Sequence, residues 1–151
     1  MVKKTINLQY YEAVGRRKGS VARVRLYIAD KNKNITVNGK KLSQGEIIVN
    51  NKLFNEVFKR EVERQKFLFP LNITDNRDRF TISVLVKGGG KTGQLDAIRH
   101  GLARALSLVD EDACKPTLRH EGLLTRDARV RERRKVGMGG KARRKKQSPK
   151  R

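Results

Sequence analysis

The sequence predicts an α/β fold: a two-layer sandwich of a roughly four-stranded mixed sheet with helices packed on it, followed by an extended basic C-terminal tail. Stretches with apolar residues at every second position alternate with stretches at helical spacing. A run of three glycines separates a strand pattern from a helix pattern. We therefore predict an N-terminal extension (1–9), a globular α/β domain (10–124) and a tail (125–151).

Four runs of alternating apolar residues predict the strands, at residues 21–28, 35–37, 69–73 and 80–86. In the first run, Arg23 and Arg25 fall between the apolar positions, so they are expected on a basic outer face. Asn38-Gly39 after the second run predicts a tight turn. Pro70 stands near the beginning of the third run, where a missing backbone donor is tolerated.

Apolar residues recur at helical spacing in two stretches of the sequence. The first stretch is 51–64, and the second follows the glycines and places Leu95, Ile98, Leu102, Leu106 and Val109 on one face. Arg99 and Arg104 lie off that apolar face, so they are available to bind phosphates.

The glycine run lies between a strand and a helix, where phosphate-binding loops occur. Gly88, Gly90 and Gly93 match the dinucleotide-binding pattern, but no second strand pattern follows Val109. A nucleotide-hydrolysing P-loop would need glycine where Leu85 stands.

Two interpretations of the loop remain. The backbone N–H groups of Gly88, Gly89, Gly90 and Lys91 could hold an RNA phosphate at the start of the helix. Alternatively, the glycines form only a turn that lets helix and sheet approach closely, with Gly101 helping that approach. Both can hold together.

Nothing in the sequence indicates an enzyme, a cofactor or a metal site. The chain has two histidines and one cysteine, and neither His120 nor Cys114 has another ligand at metal-binding spacing. His100 lies opposite the apolar helix face and is expected at the surface or in contact with RNA. No nucleophile stands beside a general base, and no apolar run is long enough to span a bilayer. We expect no small-molecule substrate and no membrane partner.

Charge points to a polyanionic partner, because the chain has a formal net charge of +22. The last 27 residues supply half of it, with 13 Lys and Arg against two acids, and they contain no Leu, Ile or aromatic residue. Such a segment cannot bury enough apolar surface to fold alone. Extended at about 3.3 Å per residue, it could reach roughly 90 Å. The candidate RNA-binding cations, besides those named above, are Arg16, Arg17, Lys18, Arg126, Arg129, Arg131, Arg133, Arg134, Lys141, Arg143, Arg144, Lys145 and Lys146.

These motifs resemble, in order, the bacterial form of the ninth small-subunit ribosomal protein family. The resemblance runs through Gly15-Arg16-Arg17-Lys18, Gly88-Gly89-Gly90 to Arg99-His100-Gly101, and Leu124-Thr125-Arg126-Asp127, and it ends at Lys150-Arg151.

The resemblance implies a cytoplasmic structural protein of the small ribosomal subunit, with an organelle ribosome as the alternative. Its implied partners are small-subunit rRNA in the head domain, neighbouring head proteins and peptidyl-site tRNA, which Lys150 and Arg151 would touch. The sequence departs from the family in two ways just before the last two residues. An aromatic residue that is common there in the family is missing, and Pro149 is present. Two alternatives remain: the protein subunit of an RNA-processing ribonucleoprotein enzyme, and a free-standing RNA chaperone.

Overall fold

The computed structural model describes residues 9–28, 35–37 and 39–133. Its seven strands are β1 (Tyr10–Arg17), β2 (Ser20–Ile28), β3 (Ile35–Val37), β4 (Lys40–Leu42), β5 (Ile47–Val49), β6 (Lys52–Leu53) and β7 (Phe80–Lys87). Its four helices are α1 (Phe54–Val57), α2 (Glu61–Asn72), α3 (Lys91–Val109) and α4 (Glu111–His120).

The main sheet is mixed and has five strands in the order β1-β2-β7-β5-β6. All neighbours are antiparallel except β5 and β7, which are parallel and joined through α1 and α2. Two-residue turns connect β1 to β2 and β5 to β6. The second turn is Asn50-Asn51, with φ of 48° and 63°, which is the left-handed conformation that type I′ hairpins require.

One face of the sheet carries the main core. Alternate strand residues such as Val24, Leu26, Ile82 and Val84 are buried against the apolar face of α3. Further core residues come from α1, α2 and α4, and α3 packs against both α2 and α4. The described helices therefore pack on one face of the sheet and leave the opposite face uncovered by helices.

The hairpin of β3 and β4 covers part of that opposite face. Tyr27 and Ile48 alternate with main-core residues along β2 and β5, and they form a second cluster with Ile35, Val37 and Leu42. The rest of this face, at the end of the sheet nearest the β1–β2 turn, is not covered by any described element.

Close contact between β1 and α3 explains two glycines. A Cβ atom added at Gly15 would lie 1.9 Å from the Ala97 carbonyl oxygen and 2.3 Å from the Gly101 nitrogen. A Cβ atom at Gly101 is itself within 3.0 Å of the Gly15 nitrogen. The helix can cross the strand at this distance only because neither position carries a side chain, as expected for Gly101.

The α/β class, the mixed sheet and the helices packed on it are confirmed, as are the strands predicted at 21–28, 35–37 and 80–86 and the helix after the glycines. The tight turn predicted at Asn38-Gly39 begins at a residue outside the described ranges. The structure has more strands than predicted, because β1, β4, β5 and β6 went unrecognised.

Two element predictions were wrong. Residues 69–73 are not a strand, because most of that run lies in α2, which buries Phe67, Pro70 and Leu71 at helical spacing. The helix predicted over 51–64 is interrupted: its first residues form a turn and β6, and non-helical residues at 58–60 separate α1 from α2.

Candidate nucleic-acid interface

The uncovered part of the sheet presents cations between aliphatic side chains. Two rows cross β1, β2 and β7 on the face away from the helices, and we call them the open rows. They consist of Arg16, Val21 and Lys87 in one row and Val14, Arg23 and Leu85 in the other. Val21 is 43% exposed, and Arg16 and Lys87 are also exposed. The three cations of the open rows are Arg16, Arg23 and Lys87. None of them makes an ion pair with a residue that the structure describes.

Arg25 lies in the next row and is already engaged. It forms an ion pair with Glu12 on β1, and its guanidinium stacks 4.6 Å from the centre of the Tyr10 ring. The Glu12 hydrogen bond is the main cause that raises the pKa of Arg25. A cation with a carboxylate partner attracts a polyanion less than an unpaired one does.

The glycine loop packs on the β1–β2 turn. Gly88 and Gly89 have φ of 74° and 62°, which side-chain-bearing residues rarely adopt. A Cβ at Gly88 would lie 2.4 Å from the Gly19 carbonyl oxygen, and one at Gly89 would lie 2.0 Å from Ser20 Oγ. The loop is therefore a turn that requires glycine, whatever else it does.

The same loop begins α3 without a side-chain cap. Gly90 is the N-cap residue, its φ of −106° suits any amino acid, and an added Cβ would meet no atom within 4 Å. Lys91 follows as the first, exposed residue of the helix. Uncapped N–H groups beside a lysine are the arrangement that binds anions at a helix start.

A polar cleft of about 270 Å³ opens beside this end of α3. Arg16 and Arg99 line it together with Asp96 from α3 and Thr125 and Asp127 from the segment after α4. Arg99 is half-buried and makes no ion pair within the described residues. The cleft is open to solvent and large enough for a phosphate group.

Arg17 differs from its neighbours because its guanidinium is bound within the protein. It donates to the carbonyl oxygen of Arg129 at 2.8 Å, and it pairs with the carboxylate of Asp127 at 3.0 Å. Asp127 also accepts hydrogen bonds from the side chain and the backbone N–H of Arg129. These bonds from Arg129 hold the pKa of Asp127 far below its usual range.

Two side chains of α3 reach the backbone of the edge strand β1. Arg104 donates to the carbonyl oxygen of Val14, and His100 Nδ1 accepts from the N–H of Arg16 at 3.4 Å. His100 Nε2 lies 3.3 Å from the carbonyl oxygen of Leu124, so these two contacts fit the neutral tautomer protonated on Nε2. Burial lowers the pKa of His100. His100 is thus a partly buried bridge rather than a free surface residue.

Most described candidate cations lie at one end of the sheet, which we call the basic end. Its members without an ion pair to a described residue are Arg16, Lys18, Arg23, Lys87, Lys91, Arg99 and Arg126, with the loop Gly88–Gly90 between them. Arg131 and Arg133 follow in the exposed chain after α4. Four of the candidate cations have partners within the protein: Arg17, Arg25, Arg104 and Arg129. The other candidate cations lie outside the described residues: Arg134, Lys141, Arg143, Arg144, Lys145, Lys146, Lys150 and Arg151.

Sequence reasoning missed Lys87 and Asp127. Lys87 alternates with the apolar residues of β7, so the strand period could have placed it beside Arg23 on the basic face. No sequence signal pairs Asp127 with Arg17, because 110 residues separate them.

Other chemistry finds no support in the described part of the chain. No group of three or more His, Cys, Asp or Glu residues there could hold a metal ion. No described helix is long and apolar enough to cross a membrane. The dinucleotide interpretation fails on topology, because α4 follows α3 where the motif needs a strand.

Fold and site together define a class of protein: a small α/β protein that carries several cations without ion pairs to described residues at one end of the sheet, around a glycine loop and a cleft of phosphate size. Residues 15–151 match the family model of ribosomal protein S9/S16. The chain belongs to that family, which confirms the resemblance noted in the sequence.

Family membership establishes the general function. The chain is a component of the small ribosomal subunit that binds rRNA and neighbouring ribosomal proteins during translation, and its family is structural rather than catalytic. The expected location in the small subunit is likewise confirmed.

Proposed function

We propose that the protein binds rRNA of the subunit head through the basic end, and that the tail carries Lys150 and Arg151 to tRNA in the peptidyl site. The observation that carries the proposal is the gathering of unpaired cations around the glycine loop and the cleft, together with the charge of the tail. The division into an extension (1–9), a core domain (10–124) and a tail (125–151) belongs to the same proposal.

The core would position the protein through phosphate contacts. Arg16, Arg23 and Lys87 stand on neighbouring strands, and strands lie about 4.8 Å apart. Cations at this spacing can meet successive phosphates, which lie several ångströms apart along an RNA backbone. Val21 and Leu85 between them can pack against ribose without needing hydrogen bonds.

The glycine loop would add a contact of another kind. The N–H groups at the start of α3 are directional donors, and the positive end of the helix dipole attracts an anion. Lys18 on the turn beneath the loop and Lys91 above it supply point charges. A phosphate here would be held by geometry as well as by charge.

The tail would act mainly through charge. It has no aromatic residue for base stacking, so its binding is led by phosphates and should weaken steeply with salt. Arginine pairs with phosphate through two parallel hydrogen bonds, while lysine contributes a point charge. These properties suit Arg151 and Lys150 as the residues that end on tRNA.

Crosslinking by ultraviolet light in the protein's own cells tests the proposal directly. We expect the crosslinked core peptides to carry small-subunit rRNA and the C-terminal peptide to carry tRNA. Crosslinks scattered over messenger and other RNAs, without enrichment of rRNA, would instead support an RNA chaperone.

Shortening the tail separates its two roles. Subunits whose protein lacks residues 141–151 should still contain the core but should retain peptidyl-site tRNA less well. A variant with only Lys150→Gln and Arg151→Gln keeps the length and most of the charge, so it serves as the matched test of the terminal contact. Unchanged tRNA retention in both variants would refute the role of the tail end.

A further inference from the structure

The chain after α4 stays against the core for several residues before it leaves. Leu123 is buried, and Leu124 packs against the main core. Beyond them, Asp127 and Arg129 are both bound by Arg17 from the end of β1. The segment 124–129 contains no helix or strand, so these contacts, and not backbone pairing, fix its course.

We infer that Arg17 and His100 form a latch that holds residues 124–129 along the edge of the sheet and thereby sets the direction in which the tail leaves the core. Arg17 and His100 are positioning residues in this inference, because they act on RNA only through the tail. The consequence in the ribosome rests on the proposed function, but the latch itself is a property of the free protein.

The geometry of Arg17 favours a latch over a contact with RNA. Its side chain is only 15% exposed. Its guanidinium contacts the carbonyl oxygen of Arg129, the carboxylate of Asp127 and, at 3.8 Å, the carboxylate of Asp96. A phosphate could reach this guanidinium only by displacing two carboxylates. The planar arginine fork presents five N–H donors at fixed angles to these acceptors, whereas the ammonium group of lysine is compact and has only three donors.

His100 holds the beginning of the same segment. Its ring joins the N–H of Arg16 on β1 to the carbonyl oxygen of Leu124. Leu124 and Asp127 are three residues apart, so the segment is fixed at two points on consecutive residues of β1 and cannot pivot about either one. Two anchors define a direction, whereas one would define only a position.

A fixed direction has a thermodynamic effect on binding. A flexible tail must lose the orientations of its first residues when RNA orders them, at about 1–2 kcal/mol per residue. Residues that the core has already ordered lose none, which favours binding by preorganisation. The latch therefore orders residues 124–129 before RNA binds.

Nitrogen-15 relaxation of the free full-length protein tests the latch. We expect backbone order parameters near 0.85 for residues 124–129 in the unmodified protein, falling below about 0.6 in Arg17→Gln. Asp127→Asn should give the same loss from the tail side, since asparagine still accepts from the N–H of Arg129 but forms no ion pair. Lys59→Gln removes one exposed positive charge elsewhere and should change nothing.

Further variants separate the geometry of the latch from charge and from folding. Arg17→Lys keeps the charge without the fork and should resemble Arg17→Gln, so full order in Arg17→Lys would overturn the role of the fork. In all variants the chemical shifts of β7 and α2 report whether the core is intact. Rigid residues 124–129 in the double variant Arg17→Gln/His100→Phe, with an intact core, would overturn the inference.

The ribosomal consequence has its own readout. Subunits carrying Arg17→Gln should retain peptidyl-site tRNA less well than subunits carrying Lys59→Gln. If removal of residues 141–151 leaves tRNA retention unchanged, the proposed tail function fails, and the relaxation result still decides on the latch independently.

Discussion

Gly90 offers the sharpest test of whether the glycine loop binds a phosphate. Unlike Gly88 and Gly89, it has an ordinary φ and free space around a Cβ, so a side chain can be added there without strain. We predict that Gly90→Asp weakens binding to an rRNA fragment from the subunit head while leaving the free protein as stable or slightly more stable.

The two effects have opposite signs for a physical reason. Aspartate is a better N-cap than glycine by a few tenths of a kcal/mol. Its charge at the start of α3 adds about 0.3–1 kcal/mol through the helix dipole. Against a bound phosphate the same carboxylate is repelled, by between about 1 kcal/mol in water and 4 kcal/mol at lower effective dielectric when the charges are about 4 Å apart. We therefore expect at least a roughly fivefold loss of affinity.

Gly90→Asn is the matched control, since asparagine has the same shape and caps the helix equally well without a charge. Filter binding at one salt concentration gives the affinities, and thermal unfolding of the free proteins gives the stabilities. Equal RNA affinity for the Asp and Asn variants would refute phosphate binding at the loop and leave only the structural turn. Gly89→Asp is a poorer test, because its Cβ would clash with Ser20 and unsettle the fold as well.

Three further predictions concern the basic end and the core. Lys87→Gln should weaken rRNA binding and reduce the dependence of log K on log salt by about 0.7–0.9, the loss of one phosphate contact. Gly15→Ala should destabilise the fold by about 1–3 kcal/mol or more in thermal unfolding, because its methyl group overlaps the backbone of α3. Burial lowers the pKa of His100 below the unfolded value of about 6.5. The unfolded chain therefore binds more protons between the two pKa values, so stability is full above about pH 6.5 and falls as pH drops through the folded pKa.

The first two of these predictions have controls within the chain. Lys59→Gln removes a comparable charge away from the basic end and should keep the salt dependence. Gly19→Ala adds a methyl group into open space and should change stability little. His100→Gln removes the half-buried imidazole and should flatten the pH dependence. An unaltered acid profile in His100→Gln would contradict the role of its buried ring.

Sequence periodicity predicted the strands that bury one face against the helices and leave the other face less buried. β2 and β7 lie at the centre of the sheet and bury alternate residues against α3, so a period of two is visible. β1 is an edge strand with Gly15 at its point of closest packing, and its alternation is correspondingly weak. β5 buries all three of its residues, because the helices and the hairpin of β3 and β4 cover its two faces. A strand that is buried on both faces shows no alternation to detect.

The error over residues 69–73 has a similar cause. Phe69 and Leu71 alternate in sequence, yet Phe69 is 36% exposed and Leu71 is fully buried. The true spacing joins Phe67 to Leu71, with Pro70 buried beside them, which is helical. A short apolar run satisfies either period, and only the phenylalanine cluster of α1 and α2 decides between them.

For the candidate site, too, local sequence features were predictable and long-range contacts were not. Composition revealed the basic residues and local pattern placed many of them, but partner choice depends on contacts between distant parts of the chain. Arg16 and Arg17 are adjacent and chemically identical, yet the strand turns Arg16 toward the uncovered face and Arg17 toward α3 and the beginning of the tail. One is therefore free to meet a phosphate, and the other holds two carboxylates and a carbonyl oxygen. The function of a basic residue here follows from the face of the strand on which it lies, so a charge-neutralising change at each of the two positions should give different defects: weaker rRNA binding at Arg16 and a loosened tail at Arg17.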